Sequence, residues 1–298
     1  MKKINYIVTQ GKADITDKVI KYKPEQYKND IGQDDFTSTI IGTNIEFENG
    51  EINFKLRTKD KFTMCQIIFN YDSQLPLTLV GLNANNHLYG IIKLVNNKWE
   101  NLHVTGDQES FDITKEHDIL IKAYGSRIEL YVNEVLVVSA FERTRKSQLR
   151  LFLRSNKEFE IRDFKVIEQQ AKAFVVMQFT DEYNQLYEEV IKPVTEEFGI
   201  KCERVDEYHT TNPILEDIVN SIKDSSVVIA DITPDNPNVF YEVGYSHAIG
   251  KPTILLCDKK RVKLPFDISS FRTLFYDNTI AGKSRVEKSL RKFLENIF

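Results

Sequence analysis

The hydrophobic periodicity of the chain changes once, near residue 170, and a chain with that change must build two different kinds of core. Before it, apolar residues recur at every second position, as in Ile52, Phe54 and Leu56, or Ile128, Leu130 and Val132. Such alternation puts one face of a strand into a core and the other toward water. Strands are expected over residues 45–59, 65–71, 77–82, 87–94, 118–123, 127–132, 135–141, 149–154 and 159–166. Asn49-Gly50, Gly125-Ser126 and Asn133-Glu134 supply turns between them. Many short strands at hairpin spacing, with little helix and no exact internal repeat, predict an antiparallel β-sandwich of jelly-roll type.

After the change, Ala173–Gln178 is a short continuous apolar run, the pattern of a parallel strand buried on both faces. Residues 182–198 have helical spacing through Tyr183, Leu186, Val190, Val194 and Phe198, with Pro193 placed to bend or shorten the helix. Strands at 201–205, 227–230, 253–257 and 273–276 then alternate with helices at 214–223, 238–249 and 283–296. This order predicts an α/β flavodoxin-like domain with a parallel sheet covered on both faces. The polar joint Glu168–Lys172 sets the boundary: a β-sandwich over residues 1–169 and an α/β domain over 170–298.

A length of 298 residues suits two domains. The net charge is −4, and residues 170–298, with 16 basic and 20 acidic side chains, hold all of it. A mildly acidic chain argues against a general nucleic-acid binder. No apolar run reaches the roughly 18–20 residues of a membrane span. Met1–Lys12 lacks the apolar centre of a secretory leader. Cys65, Cys202 and Cys257 are odd in number and far apart, which fits neither a disulfide framework nor a metal knuckle, and a cytoplasmic location is expected.

In an open parallel sheet, ligands bind beyond the carboxyl ends of the strands. Four places follow: Gln178 and Phe179; Asp206 and Glu207; Asp231, Thr233 and Asp235; and Asp258. The segment 231–250 is the most informative. Asn236-Pro237 signals a turn, and Asn238 is expected to cap the following helix. Val239, Glu242, Ser246 and Ile249 share one helix face, with Phe240, Val243 and His247 beside them, and Gly244 is expected to allow close packing. Glu242 is thus a carboxylate on an apolar stripe, and its burial requires compensation by a partner, a proton or a polar pocket.

The segments AFVVMQF (173–179), KCERVDE (201–207), VVIADITPDNPNVFYEVGYSHAIGKPTILL (227–256) and LPFDISSFRTLFYD (264–277) resemble the nucleoside 2-deoxyribosyltransferase-like group, relatives of the TIR (Toll/interleukin-1 receptor) domains. The resemblance covers less than half of the chain. It implies glycosidic chemistry on nucleosides or nucleotides, with NAD or another nucleotide as substrate or ligand rather than as cofactor, and with no metal. By position, Glu242 matches the glutamate that attacks or stabilises the anomeric centre in those enzymes, and Asp231 is its catalytic companion. Gln178, Phe179, Asp206, Asn236, Asn238 and Tyr241 are the substrate-binding candidates. Pro234–Asn238 stands where transferases carry a glycine-containing loop, and the Ser-Trp-Cys element common in TIR enzymes is absent. The resemblance also implies a homo-oligomer and brings bacterial signalling or antiphage defence to mind.

The first half resembles concanavalin-like (laminin-G or DUF1080-type) sandwiches through HDILIKAYGSRIELYVNEVLVV (117–138) and FEIRDFKVIE (159–168). For residues 1–169 this leaves a glycan or a protein as partner, with Trp99 either stacking on a sugar or packing at an edge. Plain readings stay open for the rest. Glu242 could be a surface acid near a helix start, Asp231 a turn former, Asp206 a loop acid, and Lys259–Lys263 a solvated basic turn or a phosphate contact. Three functions remain: an N-glycosidase, a sensor that binds a nucleotide without turnover, and a carbohydrate-binding protein.

Overall fold

A computed structural model of the protein describes residues 3–29, 31–71, 75–207, 213–261 and 263–298; Met1 and Lys2, in the segment considered above for a leader, lie outside them. The chain divides into two compact units, one of residues 1–123 and 127–169 and one of residues 170–298 together with the turn Tyr124–Ser126.

The first unit is an antiparallel β-sandwich. Its strands are β1 (Tyr6–Gln10), β2 (Lys12–Ile15), β3 (Val19–Lys23), β4 (Gln26–Lys28), β5 (Asp34–Phe36), β6 (Thr39–Phe47), β7 (Gly50–Arg57), β8 (Met64–Phe69), β9 (Thr78–Ala84), β10 (His87–Val95), β11 (Lys98–Thr105), β12 (His117–Tyr124), β13 (Arg127–Val132), β14 (Val135–Phe141), β15 (Ser147–Arg154) and β16 (Phe159–Glu168). Among the described residues, one sheet runs β1-β6-β15-β8-β9-β10-β11 and the other β14-β13-β12-β7-β16-β3-β2, with β4 and β5 as a separate ribbon. Register is set by alternation: Ile119 pairs with Phe54 and Ile121 with Ile52, all buried. Their core continues through Leu56, Ile67, Leu82, Ile91, Leu151 and Ile161, each burial stabilising by about 1.5–3 kcal/mol.

The strand expected over 45–59 is two strands, β6 and β7, because the chain turns at Glu48-Asn49. β1–β5 and β11 were not expected. β1, β2 and β11 lie at sheet edges and bury few side chains, β4 and β5 are three residues each, and β3 alternates in burial over only five residues.

The second unit contains β17 (Lys172–Val176), α1 (Asp181–Leu186), a π-helical turn (Tyr187–Ile191), α2 (Lys192–Glu197), β18 (Lys201–Arg204), α3 (Ile214–Asp224), β19 (Val227–Asp231), α4 (Pro237–Ala248), β20 (Thr253–Asp258), β21 (Thr273–Tyr276) and α5 (Ile280–Ile297). The sheet order is β18-β17-β19-β20-β21, and every pair is parallel. Numbered by appearance, that is 2-1-3-4-5, the flavodoxin-like order. Alternation within β17 assigns the two layers. Ala173, Val175 and Met177 pack with Tyr187, Val190 and Val194 and with Val286, Leu290 and Leu294 of α5. Phe174 and Val176 pack with Ile218 and Ile222 of α3 and Val239 and Val243 of α4.

The bend expected at Pro193 takes the form of the π turn. The Lys192 amide donates to the Tyr187 carbonyl, five residues back. Pro193 cannot donate, and its ring would crowd the carbonyl four residues before it, so the widened turn relieves both problems. Two expectations for α4 need correction. Its N-cap is Asn236, not Asn238: the Asn236 side chain accepts from the Asn238 amide at 3.0 Å, and Pro237 occupies the first helical position, where a missing N–H costs nothing. Gly244 does not mediate close packing, for it is exposed and a Cβ there would meet nothing within 4 Å. No helix among the described residues is long and apolar enough to cross a membrane.

Candidate functional site

In the 2-1-3-4-5 order, the first and third strands are neighbours, and their crossovers leave in opposite directions. The gap at their carboxyl ends holds a cavity of about 530 Å³. Gln178 and Phe179, following β17, form one wall, and Asn236, Asn238, Val239, Tyr241 and Glu242, at the start of α4, form another. Val175, Val176 and Met177, Val205 and the α3 residues Ile214, Leu215 and Ile218 complete the lining. Six of the eight residues selected from sequence therefore converge: Gln178, Phe179, Asn236, Asn238, Tyr241 and Glu242. Asp206 and Asp231 are not part of this lining.

Glu242 lies on the second turn of α4, half-buried. Among the described residues, no hydrogen bond or ion pair reaches its carboxylate. Burial, with nothing to offset it, pushes its carboxyl up to about 7. The wall is otherwise apolar or amide-bearing, so the cavity pairs one titratable acid with neutral hydrogen-bonding groups and two exposed aromatic rings. Phe179 is 47% exposed and Tyr241 55%.

Asp231 is fully buried at the end of β19. Its carboxylate accepts from the Thr233 amide at 2.9 Å and from the Tyr276 hydroxyl at 2.7 Å. Burial raises its carboxyl above the usual range, with these hydrogen bonds opposing the shift. It ties the loop after β19 to β21. Asp206 is engaged too: Arg204 donates to both its oxygens, from Nε at 2.9 Å and Nη2 at 2.7 Å. The basic loop does not present a row of free cations. Arg261 donates to the carbonyls of Ile232 and Thr233 and pairs with Asp235, and Lys259 pairs with Asp277 at 2.6 Å. His247 stacks on Phe271 with ring centroids 3.9 Å apart, away from the lining.

Sequence reading passed over Arg204 and Tyr187. Arg204 is 6% exposed and its guanidinium lies over two rings, 4.1 Å from the Tyr187 centroid and 5.3 Å from that of Phe179. Its Nη1 also donates to Asn184 at 2.9 Å. An arginine two residues before an acid at a strand end was the available signal, but the rings come from elsewhere in the chain.

No family model matches the chain, and no curated protein is similar to it in sequence. Among solved structures, it is similar to the carbohydrate-binding module CBM66 from Bacillus subtilis, at 12% identity over 53% of this chain and 92% of that one, with a TM-score of 0.41. A beta-glucanase of Bacillus licheniformis matches at 10% identity over 53% of this chain and 82% of that one, TM-score 0.34. The TIR domain of the Toll-related receptor TRR-2 from Hydra magnipapillata matches at 16% identity over 42% of this chain and 96% of that one, TM-score 0.35. None of these scores reaches 0.5.

Proposed function

We propose that the α/β unit cleaves the N-glycosidic bond of a nucleoside or nucleotide, with NAD the leading substrate. The observation that carries the reading is Glu242: an unpartnered, half-buried acid in a cavity at the switch point of a parallel sheet. Departure of the base takes the electron pair of the C–N bond and leaves positive charge on the sugar carbon. An ionised Glu242 stabilises that oxocarbenium-like centre or bonds to it covalently, and water then supplies the hydroxyl that completes hydrolysis. Nicotinamide leaves NAD as a neutral molecule, so no acid is needed to protonate it. A neutral purine needs a proton. Gln178, Asn236 and Asn238, which line the same cavity, would hydrogen-bond sugar hydroxyls or the base edge.

The test is a product assay. Concentrated full-length protein is incubated with NAD, ATP and a panel of nucleosides and deoxynucleosides, and released bases are resolved by chromatography with mass detection. Glu242→Gln is expected to lower release by about a hundredfold or more. Equal release by both proteins would rule Glu242 out of the chemistry.

One observation favours a second reading, binding without turnover. The two acids expected to assist Glu242 are both engaged within the fold, Asp206 with Arg204 and Asp231 with Thr233 and Tyr276. Saturable nucleotide binding without product from the wild type supports that alternative.

A further inference from the structure

Arg204 is held along the edge of its guanidinium. In its own plane, Nε and Nη2 serve Asp206, and Nη1 serves Asn184. A guanidinium held at its edge still meets aromatic rings through its flat face, and here Cζ lies over the rings of Tyr187 and Phe179, 4.1 and 5.3 Å from their centroids. Tyr187 is fully buried, and its hydroxyl donates to Glu207 at 3.0 Å, so the base of the stack is fixed. At the other end, Phe179 lines the cavity while Arg204 and Tyr187 do not.

We propose that Tyr187, Arg204 and Phe179 form a fixed stack whose last ring, Phe179, is the platform on which the planar base of the substrate lies. The inference rests on the glycosidic reading and deepens it by giving the aromatic base a place. Arg204 acts here as a positioning residue, since it holds the ring and does not reach the substrate. A planar ring with a defined orientation accepts any flat base by stacking, with little demand on edge hydrogen bonds. The sugar then extends toward the α4 wall that carries Glu242.

Two variants of the full-length chain test this. Phe179→Leu keeps an apolar side chain and removes the platform. Adenosine, nicotinamide riboside and NAD are expected to bind about tenfold or more weakly to it, while Phe179→Tyr restores binding. Ribose 5-phosphate, which has no base, should bind both proteins alike. The second variant, Phe179→Trp with Trp99→Phe, places the chain's one tryptophan at the site. Its emission is expected to be quenched by the three base-bearing probes and left unchanged by ribose 5-phosphate. Adding Arg204→Lys, which keeps the charge and loses the planar fork, should lower the anisotropy of that tryptophan.

Base-bearing probes that bind Phe179→Leu as tightly as wild type overturn the platform, even where product release still depends on Glu242. Unchanged anisotropy in the Arg204→Lys protein overturns the positioning role. Absence of saturable binding of any probe to the wild type overturns both the platform and the glycosidic reading.

Discussion

Glu242 ionises against its surroundings, because burial raises its carboxyl to about 7 and no cation among the described residues offsets that. A carboxylate that stabilises an oxocarbenium centre must be charged. Turnover is therefore expected to rise as pH increases through about 7 and to level above it, and a pH–rate profile of kcat/KM checks this. A flat profile from pH 5 to 9 would remove the role. The same residue has a signed effect on folding. Its folded pKa lies above the unfolded value of about 4.3, so the folded chain holds the extra proton between the two, and stability falls as pH rises across that window. Glu242→Gln should then raise the unfolding temperature of the α/β unit by a few degrees at pH 8 and by little at pH 5, as read by calorimetry. Glu242 was legible in the sequence because its helix has an apolar stripe that a carboxylate interrupts. The state of Asp231 was not, since the hydroxyl that holds it belongs to Tyr276, 45 residues away. Arg204 was hidden for the same reason: a cation over rings from other parts of the chain has no local sequence pattern.

Most strands and helices were readable where their faces are unequally buried, though β3, which alternates over only five residues, was not. β7, β12 and β15 alternate strictly and were expected, whereas the edge strands β1 and β11 bury too little to show a period. The helix spanning residues 182–198 was expected from spacing, but the π turn within it depends on how one proline and one carbonyl share space. Close backbone approach is likewise invisible before folding. Gly81, in the middle of β9, has φ +152°, and a Cβ there would stand 2.2 Å from the Cys65 carbonyl oxygen of β8. Gly81→Ala must push these paired strands apart or bend one of them. We expect a loss of about 2 kcal/mol or more of sandwich stability, measured by urea denaturation followed through the β-sheet circular dichroism. A change below 0.5 kcal/mol would mean the strands yield at that point.

The charge of the chain is unevenly divided. Residues 1–169 are balanced at 24 basic and 24 acidic, and the α/β unit carries the whole −4. An anionic nucleotide approaching that unit meets net repulsion, which salt screens. Association with NAD is therefore expected to quicken or stay level between 10 and 150 mM salt in stopped-flow measurements, the reverse of a nucleic-acid binder. A steep slowing would point to a basic channel instead. What the linear order of elements could not give was the 2-1-3-4-5 arrangement, since alternation of strand and helix is compatible with several strand orders. That arrangement brings Phe179 and Asn238, about 60 residues apart in sequence, to opposite walls of one cavity. The chain's three cysteines are free, so no covalent link spans that interval. A nucleotide seated between the walls would bind only the folded unit and so hold that unit against unfolding for as long as it stays. The resistance of the α/β unit to heat would then follow the concentration of whatever fills the cavity, while that of the β-sandwich would not.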